Sequence, residues 1–119
     1  MITTEDVKKR VITNADDTVI QSFIDAREEE LKQTIGVDDL STASYQSFLK
    51  KWLLNMVASD IILYEVGMDP LDYSLGELRE NMEPNLRYRF QRADELRREA
   101  ETVIRTYFLK TTGYRSASP

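Results

Sequence analysis

The most apolar segment of the chain is residues 41–67, STASYQSFLKKWLLNMVASDIILYEVG. Its apolar side chains recur at three- and four-residue steps, the spacing of one face of an α-helix. The positions on this stripe are Tyr45, Phe48, Leu49, Trp52, Leu53, Met56, Val57, Ile61 and Tyr64. Other apolar residues occupy the remaining faces, which is typical of a helix buried on nearly all sides. The segment predicts a central helix that begins near Ser41 or Thr42 and ends at Gly67.

One carboxylate interrupts this apolar helix. Asp60 lies between Ser59 and Ile61, where an unpaired buried charge would cost several kcal/mol of stability. We therefore expect an arginine from another helix or from a neighbouring subunit to meet Asp60. A structural ion pair is the favoured interpretation, and a catalytic acid is the alternative.

A short first helix is predicted near the amino terminus. Thr3 and Thr4 precede the acids Glu5 and Asp6. A hydroxyl can satisfy a free helical amide, and carboxylates suit the positive end of a helix. The pattern predicts a capped helix that runs through about Val11.

An amphipathic second helix follows it. The pattern starts at Asp16 and Asp17 and reaches Gly36, a residue that readily adopts the left-handed conformation at a helix end. Its apolar stripe consists of Ile20, Phe23, Ile24, Leu31 and Ile35. The opposite face carries Asp25, Glu28, Glu29, Glu30 and Lys32, and a solvated face is the simplest interpretation of that charge.

The carboxyl-terminal part predicts one long helix and a tail. Residues 68–73 indicate a connector, and Ser74 with Glu77 forms a capping-box pattern. Because Pro84 is tolerated only in a first turn, we expect either a short helix to about Met82 followed by a new one, or one helix kinked at Pro84. Residues 1–110 are thus predicted to form a single all-α domain, a small helical bundle with a long last helix over about 84–110, and residues 111–119 a flexible tail.

The composition argues against most catalytic chemistry. The 119 residues include no His and no Cys, which excludes thiol catalysis, an imidazole base, a Ser-His triad and a zinc site of the ordinary type. The four glycines are too far apart for a phosphate-binding loop. We expect no enzyme activity, no metal and no cofactor. Within residues 41–67 the most apolar stretch is 52–66, which is shorter than the roughly 20 residues of a membrane span and contains Asn55 and Asp60. No signal peptide is recognisable, so we expect a protein made in the cytoplasm with no membrane partner.

The charge is distributed unevenly along the chain. Residues 1–36 and 37–74 carry net charges of -3 and -4, whereas residues 75–119 carry +2, within a total of -5. The basic part contains eight arginines and one lysine, and arginine favours bidentate contacts and protein interfaces. The cluster Arg87, Arg89 and Arg92 is predicted to contact a subunit or a partner. A self-paired solvated face, an acidic protein partner and a DNA-binding surface remain three possible interpretations, although a pI near 4.8 disfavours tight independent DNA binding.

The amino-terminal half resembles a known family. The sequences TEDVKKRV at residues 4–11 and DDTVIQSFIDA at residues 16–26, followed by the apolar helix over 48–64, resemble the head-tail connector proteins of long-tailed bacteriophages, also called adaptor or head-completion proteins. The resemblance covers roughly residues 3–66. The Arg- and Glu-rich last helix departs from the commoner family pattern.

The resemblance implies a structural virion protein. It implies a homo-oligomeric ring, usually of twelve copies, that binds beneath the portal protein, lets DNA pass non-specifically through its channel, and docks the next connector, stopper or tail protein. It also implies that the carboxyl-terminal region reaches the portal, so Tyr114 and Arg115 are predicted anchoring residues. The partner of Arg87, Arg89 and Arg92 would then be a neighbouring subunit or the portal. The alternative is a cytoplasmic helical interaction module, a small regulator or assembly chaperone, that docks through its Arg-rich helix.

Overall fold

A computed structural model describes residues 1–70 and 83–112 of the chain. Within these residues the protein is all-α, as the sequence predicts, and no strand occurs. The helices are α1 (Thr4–Arg10), α2 (Asp17–Ile35), α3 (Gln46–Glu65) and α4 (Pro84–Thr112), and a single 3-10 turn covers Leu40–Thr42. The predicted Ser74–Glu77 capping box and the predicted anchors Tyr114 and Arg115 lie outside the described residues.

The amino-terminal ends of α1 and α4 are closed by side chains. Thr3 Oγ1 accepts from the Asp6 amide, and the Asp6 carboxylate accepts in return from the Thr3 amide, a complete capping box. At α4 the Glu83 carboxylate accepts from the amides of Asn85 and Leu86 at 3.1 and 3.2 Å. Since Pro84 lacks an amide hydrogen and Glu83 lies outside the helix, α4 begins at the proline itself.

Glycines close the carboxyl-terminal ends of α2 and α3. Gly36 has φ +74° and donates to Lys32 O. Gly67 has φ +83° and donates to Tyr64 O, while Met68 N donates to Leu63 O at 2.9 Å. Paired bonds of this kind satisfy the last helical carbonyl groups and require a left-handed residue, which glycine adopts without strain from a Cβ atom.

Helix α3 begins later than its sequence pattern predicts. The pattern predicts a start at Ser41 or Thr42, but the helix begins at Gln46. Asp39 caps the separate 3-10 turn by accepting from the Ser41 amide at 2.9 Å, and Tyr45 then takes a left-handed conformation with φ 54°. The last helix also differs from its prediction. Helix α4 continues to Thr112 at its carboxyl-terminal end, so the first two residues of the predicted tail are helical.

Helix α3 is the centre of the bundle. Its first half shares an apolar cluster with the second half of α4, and its second half shares another with the first half of α4, so the two helices are antiparallel. Helices α1 and α2 also pack on α3. Trp52 is buried in the first cluster, and Phe23 and Phe48 are half-buried against it. The second cluster contains Ala58, Ile62, Leu63, Phe90, Ala93 and Leu96.

Candidate functional site

A buried ion cluster crosses the bundle where the two apolar clusters meet. Asp60 on α3 is 1% exposed. It accepts from Arg27 Nε and Nη2 on α2, both at 2.7 Å, and from Arg97 Nη2 on α4 at 3.0 Å. The sequence predicts an arginine partner for this carboxylate, and the structure places two arginines on it, from helices on different sides of α3.

The remaining groups of this cluster are also hydrogen-bonded. Arg97 Nε donates to Ser59 Oγ at 2.8 Å, and Arg97 Nη2 donates to the Pro70 carbonyl at 3.0 Å. Arg27 Nη1 donates to Glu30 at 2.6 Å. Burial disfavours the charge of Arg27, but its bonds to Asp60 and Glu30 outweigh this cost and raise the pKa of Arg27 above its usual value. The cluster therefore holds three helices and the segment after α3 in fixed register.

A second polar network joins α1 to α3 and α4. Arg10 Nε and Nη2 donate to Asn55 Oδ1 at 3.0 and 2.8 Å, and Arg10 Nη2 also donates to Glu99 at 3.0 Å. Lys51 Nζ lies 3.3 Å from the same carboxylate. Desolvation tends to raise the pKa of Glu99, but its contacts with Lys51 and Arg10 outweigh this effect and lower it. This network fixes the end of α1 against the other helices.

An open groove lies at the end of α1, between α1, α3 and α4. Its volume is about 300 Å³. The lining residues are Arg10, Val11, Ile12, Ile62, Glu65, Tyr88, Arg89 and Arg92. Two large apolar side chains face solvent there, because Ile12 is 99% exposed and Tyr88 is 70% exposed.

The loop after α1 holds Ile12 in its exposed position. On one side of it, the Val11 amide donates to Val7 O at 3.0 Å, and the Val11 side chain packs against both apolar clusters. On the other side, Thr13 Oγ1 donates to Glu65 and accepts from the Ala15 amide, both at 3.0 Å. Both neighbours of Ile12 are thus fixed, and its exposure is a feature of the folded surface.

The cations of the groove differ in what they contact. Arg10 is engaged by Asn55 and Glu99, and Arg92 pairs with Glu95 one turn along α4 at 3.3 Å. Arg89 is exposed and has no hydrogen bond or ion pair with any residue that the structure describes. Arg89 therefore supplies a charge available to a partner, beside the exposed Ile12 and Tyr88 side chains.

The structure brings together two of the five residues predicted from sequence to contact a partner. Arg89 and Arg92 line the groove. Arg87, in the same predicted cluster, is half-buried and does not line it, and Tyr114 and Arg115 lie outside the described residues. Sequence reasoning missed Ile12, whose only signal was a large apolar residue in a polar break between helices. Tyr88 lies between Arg87 and Arg89 in the sequence, and that position alone does not indicate that its side chain is exposed.

Several ionisable groups have pKa values that are shifted from their ordinary values. The pKa values of Asp6, Asp39 and Glu99 are lowered, and those of Lys8 and Arg27 are raised. Each of these groups therefore stays charged near neutral pH. Across residues 1–70 and 83–112, no group of three or more potential metal ligands occurs. None of the helices described there is long and apolar enough to cross a membrane.

Comparison of the chain with known protein families, with curated proteins and with solved structures finds no match.

Proposed function

We propose that this chain is a head-tail connector of a long-tailed bacteriophage. In this role, copies of the chain form a ring under the portal protein, extend the DNA channel and dock the next connector, stopper or tail component. The protein would be made in the host cytoplasm and act in the virion, at the interface between head and tail. The resemblance of residues 4–11 and 16–26 to that family suggests the identity of the assembly.

The observation that carries the proposal is the groove. A tyrosine, an exposed aliphatic side chain and an arginine without a described partner lie together at Tyr88, Ile12 and Arg89. Aromatic residues and arginine are enriched in protein interfaces, and they supply most of the residues that dominate binding energy. An isolated exposed apolar residue needs no explanation, but two of them on one groove beside a free cation favour a binding surface.

The rigidity of the bundle suits a structural component of a virion. The Arg27–Asp60–Arg97 cluster links α2, α3 and α4, and the Arg10 network links α1 to α3 and α4. The groove is formed by helices that these two networks fix, so it is already ordered before a partner binds. Binding there therefore costs little conformational entropy. The acidic charge of residues 1–74 also suits a channel wall that must not retain DNA phosphates.

The proposal is tested by removing the gene from the phage that encodes it. We expect DNA-filled heads and free tails to accumulate, because the head lacks its docking surface. Adding purified chain to those heads and tails should restore infectious particles, and supplying the wild-type gene from a plasmid is the matched control.

Two other results would contradict the proposal. Infectious tailed particles formed without the chain would exclude the connector role. Loss of heads before DNA packaging would instead favour the assembly chaperone, which acts earlier and is absent from finished particles.

A further inference from the structure

An exposed acidic stripe runs along α2 on the side facing away from α3. Ser22, Asp25, Ala26 and Glu29 follow the i, i+3, i+4, i+7 spacing of one helix face, and all four are exposed. The α2 residues buried against the bundle are Ile20, Ile24, Arg27 and Leu31, on the opposite face. The stripe therefore offers two carboxylates, Asp25 and Glu29, next to two small side chains, Ser22 and Ala26.

The carboxylates of this stripe are only weakly engaged within the chain. Asp25 accepts from the Gln21 amide group at 2.9 Å, and Glu29 lies 3.8 Å from Lys32 Nζ. Both contacts are between neighbours on the exposed helix surface, where such pairs contribute little stability. The negative charge of the stripe remains available to an approaching cation.

We propose that the Ile12–Tyr88–Arg89 surface of one protomer docks onto the Ser22–Glu29 stripe of a second copy. The two surfaces are complementary in charge, since Arg89 has no described partner and the stripe carries Asp25 and Glu29. They are also complementary in side-chain size, because the large Ile12 and Tyr88 side chains would lie over the small residues Ser22 and Ala26. This contact rests on the proposed function and specifies how the ring is made.

A second copy is the occupant that the geometry favours. The groove includes no α2 residue, and the stripe faces away from α3, so the folded chain cannot bring its own stripe into its own groove. Because the two surfaces differ, a docked pair still has one groove and one stripe free. Such a head-to-tail contact propagates into a ring when the rotation between copies closes. Closing the ring links these contacts, so that each one strengthens the others.

Cross-linking of the purified chain tests the contact directly. The chain has no Cys, so engineered thiols are the only reactive ones. We expect the double variant Arg92→Cys/Ala26→Cys, treated at high protein concentration with a short bis-maleimide reagent, to give a ladder of dimers, trimers and larger species. Each single variant should give only background dimer. A strong dimer from Arg92→Cys alone would indicate a groove-to-groove contact, and no ladder from the double variant would exclude the stripe; either result overturns the proposal.

A charge reversal in the same background tests the role of Arg89. Arg89→Glu should reduce the ladder about tenfold, because like charges placed opposite each other weaken association, and adding Glu29→Arg to that variant should restore it. The matched control is Arg98→Glu, which reverses another exposed arginine without a described partner. Arg98 lies nine residues along α4, about two and a half turns, and so faces the opposite way. Equal effects of the two reversals would overturn the proposal.

These experiments separate the contact from the connector role. If purified chain gives a ladder but infectious particles form without the gene, the contact between copies is supported and the connector role is excluded. A ring found in virions whose Arg92→Cys/Ala26→Cys subunits do not cross-link would retain the connector and reject this contact.

Discussion

Neutralising Asp60 should strongly destabilise the fold. Asp60→Asn keeps the size of the side chain, so no cavity forms. It removes the charge that faces Arg27 and Arg97, and one carboxylate oxygen becomes an NH₂ group that points at guanidinium donors. Two buried cations then lose their shared counter-ion.

The expected loss is large relative to the total stability. Removing one partner from a buried ion pair costs about 3–5 kcal/mol, whereas a chain of this length has a free energy of unfolding of roughly 6–18 kcal/mol at about 0.05–0.15 kcal/mol per residue. With a urea m value of about 2 kcal/mol/M, the midpoint should fall by about 1.5–2.5 M. Circular dichroism at increasing urea concentration measures this shift.

Two further variants separate the possible causes. Glu30→Gln removes the carboxylate at the exposed rim of the same cluster, where the Glu30 side chain is 47% exposed, and it should cost less than about 1 kcal/mol. The triple variant Arg27→Met/Asp60→Met/Arg97→Met replaces all three charges with apolar side chains. It should recover much of the loss, because no unpaired charge remains buried.

Either of two results would refute this reasoning. If Asp60→Asn costs no more than Glu30→Gln, then Asp60 is not the shared partner of two buried cations. If the triple variant is as unstable as Asp60→Asn, the loss does not come from unpaired buried charge.

Three smaller perturbations test other parts of the fold by the same urea titration. Gly36→Ala should cost about 1 kcal/mol, because the left-handed backbone is strained for alanine although the added Cβ meets no atom within 4 Å; no loss would contradict that geometry. Leu96→Ala should cost about 2–5 kcal/mol from a fully buried site, and a loss below 1 kcal/mol would place Leu96 near the surface. Glu99→Gln should cost less than about 1 kcal/mol at pH 7. Because Lys51 and Arg10 lower the pKa of Glu99 in the folded state, its contribution is present above the ordinary value of 4.5 and is lost as the pH falls through the lowered value. A difference between wild type and Glu99→Gln that persists in acid would contradict this.

Helix periodicity predicted the all-α class and the central place of α3, but it could not predict where α3 begins. The apolar stripe continues backward through Tyr45, and the chain nevertheless leaves the helical path there. The Gln46 side chain donates to the carbonyl groups of Leu40 and Ala43 at 2.7 and 2.6 Å, and Leu40 is buried in the core. Tertiary contacts of this kind override a local pattern, and periodicity does not record them.

Only the part of the groove that lies on α4 could be predicted from the sequence. Arg89 and Arg92 are close in sequence, so their clustering was visible. Ile12 and Ile62 reach the same groove from a loop and from α3, and no spacing rule links those positions to α4. Asp60 was recognisable as a buried charge in need of an arginine, but the arginines that meet it are 33 and 37 residues away, which only the packing of the helices determines.

The central claim is that this chain forms a ring between the portal and the tail. Cryo-electron microscopy of purified virions, reconstructed without imposed symmetry at the tail vertex, tests it most directly. We predict a stoichiometric ring of this helical bundle directly beneath the portal, at one vertex of each particle. Mature infectious particles that contain no copy of the chain, or that carry it at every vertex, would contradict the claim.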